Sequence, residues 1–168
     1  NSGGKKMLNR AINLILACTL VGLFATAVSS AEYKWDMTSG YAPTSQHGRS
    51  QAVFEELVEE KSGGRIEITN HYSASLGYKD IGIFDAVSDG VVPIGLSFVG
   101  LLRGVDPIFL LSSLPFVTET YEDGKLLYKA SKPYYDAVLE KNDQVLLYVV
   151  PNPPSGIWAH EPIKTKDD

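Results

Sequence analysis

Glu59-Glu60-Lys61-Ser62-Gly63-Gly64-Arg65-Ile66-Glu67-Ile68-Thr69 turns a helix into a strand through a glycine pair. On its N-terminal side Val53, Phe54, Leu57 and Val58 recur at helical spacing, with Glu55, Glu56, Glu59 and Glu60 mostly opposite, which predicts an amphipathic helix burying that apolar stripe. Gly63-Gly64 supplies a left-handed stop, because glycine takes positive φ without a Cβ penalty. From Arg65 to Thr69 apolar and polar residues alternate, the period of a strand with one buried face. Three later marks, Ser75-Leu76-Gly77, Asp89-Gly90 and Ser113-Leu114-Pro115-Phe116, repeat this punctuation between alternating helices and strands.

Outward from that stretch the order completes itself. Tyr33 to Met37 reads as a short strand ended by Ser39-Gly40-Tyr41-Ala42-Pro43, and Thr44 or Ser45 is placed to cap the following helix. A second helix from about Lys79 to Ser88 buries Ile83, Phe84 and Val87, and Gly90 ends it. Val91 to Phe98 is a continuous apolar run, as expected of a buried parallel strand. Asp106-Pro107 opens a less regular segment, Tyr121 to Lys141 reads as helix interrupted at Pro133, and Gln144 to Val150 as another buried strand. Pro151, Pro153 and Pro154 then make a stiff extended connector. Strands joined by helices predict an α/β fold, a parallel-rich sheet flanked by helices on both faces.

The first residues have another character. Lys5, Lys6 and Arg10 precede an apolar run from Ala11 to Val28, and Ser29-Ser30-Ala31 offers small residues where a signal peptidase reads. Residues 1–31 are therefore expected to be a leader cleaved after Ala31, and the protein to be periplasmic. A retained membrane anchor is the competing reading, since the run approaches the length of a spanning helix. Ile15-Leu16-Ala17-Cys18 matches a lipoprotein signal poorly, with Cys18 inside the apolar run and Leu16 bulky. Cleavage leaves no cysteine and takes the net charge from −5 to −8, 12 basic against 20 acidic residues, because no acidic residue precedes Glu32. An acidic exported domain is a poor partner for nucleic acid.

Catalytic and metal-binding groups are not assembled by these residues. His47, His71 and His160 are scattered without ligand spacing, and each is expected to be a solvated or hydrogen-bonded surface histidine. Gly63-Gly64 follows a helix and precedes a strand, the reverse of a phosphate loop. Neither Ser39-Gly40 nor Ser155-Gly156 has the earlier glycine of a nucleophile elbow. No cofactor is implied. The loops after the strands are better furnished: in an open α/β sheet, ligands lie outside the strands' carboxyl ends. There the sequence places Tyr41, Phe98 and Trp158, with hydroxyls at Ser39, Ser45, Ser97 and Ser155. Aromatic walls with a few polar groups suit a small organic molecule. Phe98, at the end of an apolar strand, reads equally as core. The expected ligand-binding set is Ser39, Tyr41, Ser97, Phe98 and Trp158.

Trp35-Asp36-Met37, the run from Phe54 to Ile66, Leu76-Gly77, Ala86-Val87-Ser88-Asp89-Gly90, Leu114-Pro115-Phe116, Ser155-Gly156-Ile157-Trp158 and Pro162-Ile163 occur in an order that resembles the solute-binding proteins of tripartite ATP-independent periplasmic (TRAP) transporters, the DctP-like family. The resemblance covers Tyr33 to Asp168. It implies lobe one of a two-lobed binding protein over residues 32–150, a crossing segment over 151–168, and a second lobe outside this chain, with Asn1 preceding a plausible start at Met7. It further implies a small organic acid as ligand, small and large TRAP membrane subunits as partners, and a carboxylate-pairing arginine on the second lobe. Two positions depart from the pattern. Pro93 stands where an acidic residue is common, and Ile157-Trp158 where some sialic-acid-binding relatives carry arginine. An ABC-type receptor is the alternative within binding proteins, and a secreted α/β hydrolase the alternative among enzymes.

Overall fold

The computed structural model describes residues 31–152 together with 160 and 161. Three parallel strands form one sheet: β1 (Tyr33–Ser39), β2 (Ile66–His71) and β3 (Ile94–Leu96), in the order β2-β1-β3. β1 is central. It pairs with β2 from Tyr33↔Ile66 to Thr38↔His71, and with β3 from Met37↔Ile94 to Ser39↔Leu96.

The sheet has a helix on each face. Met37, Ile68 and Ile94, one from each strand, are buried together, and Phe54 and Val58 of α1 (Gln46–Ser62) pack on them. Each such side chain contributes roughly 1.5–3 kcal/mol when fully buried. On the other face Gly95 lies against Ile83 and Val87 of α2 (Ile81–Ser88). Phe84 carries α2 into a second cluster with Leu102, Phe109, Tyr135 and Leu139. These come from two 3-10 segments, Val99–Gly104 and Pro107–Ser113, and from α3 (Tyr121–Glu140). Parallel strands with helical crossovers thus match the fold class read from the sequence.

Both ends of α1 follow their residues. Ser45 accepts the Gly48 N–H at 3.0 Å, and Gly63, at φ 64°, stops the helix while its N–H and that of Gly64 return to Glu60 and Glu59 carbonyls. Gly48 is buried in the first turn because the Ala42–Pro43 loop lies over it. A Cβ there would strike the Ala42 carbonyl oxygen and come within 2.8 Å of Pro43 Cα.

Several sequence expectations are corrected. Val53 and Leu57 of α1 are exposed; the buried face runs through Gly48 and Gln51 to the half-buried Phe54 and Val58. The expected strand from Val91 to Phe98 shrinks to three residues, with Val91 and Phe98 exposed. Pro93 has no N–H to give the ladder, so pairing starts only at Ile94. α3 runs through Pro133 without interruption, giving up one interior hydrogen bond rather than its path. Gln144 to Val150 is extended but lies in no ladder, and its residues alternate between half-buried and exposed. It leaves α2, where Gln144 donates to the Phe84 carbonyl, and reaches α1, where Tyr148 stacks on Phe54 at 5.0 Å.

Gly48→Ala is expected to lower stability by about 1–3 kcal/mol through overpacking, despite alanine's better helix propensity. Urea denaturation checks this, and a variant as stable as the parent would refute the close approach of the Ala42–Pro43 loop.

Candidate functional site

The carboxyl ends of β1 and β3 lie side by side, because Ser39 pairs with Leu96 as both strands finish. Gly40-Tyr41 and Ser97-Phe98 therefore leave the sheet as neighbours. The β2–α2 connection, Tyr72 to Asp80, is laid against these ends. The Ala74 N–H donates to the Ser39 carbonyl at 2.8 Å and the Ser73 N–H to the Tyr41 carbonyl at 2.9 Å. Ser73, Ala74 and Asp80 hold φ of 54°, 57° and 49°. Such backbone costs on the order of 1–3 kcal/mol per non-glycine residue, and it concentrates at functional sites.

Behind the strand ends runs a chain of polar side chains. Ser39 is fully buried, and its hydroxyl donates to Gln51 Oε1 at 2.6 Å while accepting the Tyr41 N–H at 3.3 Å. Gln51, equally buried, donates from Nε2 to Asn70 Oδ1 at 3.4 Å, and Asn70 donates to Glu55. Ser39 presents no surface; it fixes the start of the Tyr41 loop. Next to it, the buried Thr38 Oγ1 has no hydrogen-bond partner.

Tyr41 is half-buried and stacks on His47, with ring centres 4.2 Å apart and planes at 14°. Burial raises its phenol pKa above the ordinary tyrosine value, and the negative charge of Asp80 adds to the rise. Ser97 Oγ donates to the Asp80 carbonyl at 3.3 Å, tying the β3 end to the start of α2. Phe98 is 38% exposed. A cleft of about 480 Å³ opens where α2 begins, lined by Asp80, Ile81, Asp85, Leu101, Arg103 and Val105 among others. That volume is within the range of small-molecule sites.

Four of the five residues named from sequence, Ser39, Tyr41, Ser97 and Phe98, thus fall on two adjacent strand ends. Trp158 lies outside the described residues, as does Ser155. Ser45 spends its hydroxyl on the α1 cap and the Ala42 carbonyl. His71 is hydrogen-bonded to Asp36 at 2.7 Å, as expected of a surface histidine, whereas His47 departs from that expectation by stacking. The sequence pattern does not point to Gln51, Asn70 or Asp80. Gln51 reads as one more polar helix residue, and only its position one turn before Phe54 and Glu55 hints at a buried face. Asn70 and Asp80 carry no local signal, because their partners are 15 to 19 residues away or on another strand.

A parallel sheet with a helix on each face, and aromatic and polar groups gathered beyond its carboxyl edge, defines a lobe of an α/β solute-binding protein. The chain belongs to bacterial extracellular solute-binding protein family 7 (DctP), whose profile matches residues 38–168. Among solved structures it is similar to DctP6 of Bordetella pertussis, an extracytoplasmic solute receptor binding pyroglutamic acid, at 33% identity and a TM-score of 0.62. It is likewise similar to a marine metagenome TRAP solute-binding protein specific for pyroglutamate, at 36% identity and a TM-score of 0.62. DctP7 of Bordetella pertussis, also a receptor binding pyroglutamic acid, follows at 28% identity and a TM-score of 0.62. Each comparison covers 65% of this chain and 36% of the relative, so the chain corresponds to about a third of their length. No match was found among curated proteins. The family and these relatives are solute receptors.

The polar chain behind Tyr41 is testable by a double-mutant cycle. Ser39→Ala and Gln51→Leu each strand a buried polar partner and should cost roughly 1–3 kcal/mol. The double variant removes both, so its cost should fall clearly below the sum. Strict additivity in denaturant titrations would show that the two side chains do not depend on each other.

Proposed function

We propose that the complete protein is the periplasmic solute-binding subunit of a TRAP-type secondary transporter, capturing a small organic acid and delivering it to small and large membrane subunits. Membership of family 7 is the observation that carries this reading. Support comes from the strand ends, whose pairing brings the loops of Tyr41 and of Ser97-Phe98 side by side, and from Asp80, tied to Ser97 and bordering a cleft of about 480 Å³. Pyroglutamate is the first ligand to test, because relatives at 33% and 36% identity bind it. Trp158 joins the wall in this proposal, and Ser39 serves it from behind by holding the Tyr41 loop. The protein acts by binding and closure around a hinge, with no catalytic group. Residues 1–31 serve as its leader, cleaved after Ala31.

Calorimetry on the complete two-lobed protein with a panel of organic acids tests the assignment. Tyr41→Ala or Trp158→Ala should weaken binding by about 1–3 kcal/mol, as for a desolvated aromatic contact. Unchanged affinity in both variants would move the site to other loops. In the same preparation, mass spectrometry of the periplasmic fraction should find Glu32 as the N-terminus; a lipid on Cys18 or an intact leader would reject the processing.

A further inference from the structure

We draw no further inference here: the strongest candidate, the apolar groove of about 500 Å³ that Val53 and Leu57 of α1 form with Tyr148 and Val149 of the extended segment, carries nothing because nothing in the structure shows what covers it.

Discussion

β1 is hydrogen-bonded on both edges, and the rest of the lobe depends on that double pairing. Because successive side chains alternate across a sheet, the last three residues of β1 are divided between the two helices: Met37 and Ser39 turn to α1, and Thr38 to the face that α2 covers. All three are buried. The strand ends in two hydroxyl residues under complete cover, and an unpaired buried hydroxyl costs on the order of 1–3 kcal/mol; Thr38 Oγ1 bears that cost, having no partner. Gln51 answers for Ser39. Its own burial follows from this, and so does the course of α1, whose inner face at that level is polar rather than apolar.

The same constraint shapes the loops. With Ser39 and Tyr41 offering carbonyls beyond the end of the ladder, the β2–α2 connection bends to supply N–H groups, and Ser73 and Ala74 take positive φ to do so. A shorter path into α2 would relax those residues but leave the β1 carbonyls bare. Stability near the strand ends is thus traded for a fixed surface of loops. Loops on a scaffold are where recognition groups are usually found; here backbone bonds fix the Tyr72–Asp80 connection to Ser39 and Tyr41, and Ser97 fixes its end at the Asp80 carbonyl.

Local punctuation made much of this legible. Ser45, Gly63-Gly64 and the alternation from Arg65 to Thr69 each act within one helical turn or a few strand residues, so their consequences can be read without knowing the partner. Burial is a different matter. Val53 and Leu57 look like core because they share a helical face with Phe54 and Val58, yet the cover that would bury them is not supplied by the described residues; they line an apolar groove of about 500 Å³ with Tyr148 and Val149. Val145, Leu147 and Val149 show the same thing along the extended segment, where composition predicts a buried strand and one side is open. Pro133 erred the other way. A long amphipathic helix, capped by the reciprocal Thr120–Asp123 bonds and anchored at Tyr135 and Leu139, tolerates one missing N–H. For the candidate site, aromatic and hydroxyl residues in strand-end loops could be named from topology alone. Asp80 could not, since its sequence position says only that a helix begins.

The electrostatics of the lobe then limit what it can bind by itself. Asp80 and Asp85 both border the cleft, and Arg103 is the one cation among its lining residues that the structure describes. An organic acid entering there brings a third negative charge. Its carboxylate must be met by Arg103 or by a cation from beyond the described residues, because an uncompensated charge taken out of water costs several kcal/mol in effective terms. With two carboxylates and one guanidinium among its described lining residues, the cleft is negative on balance, so any anion held there would need a cation of its own.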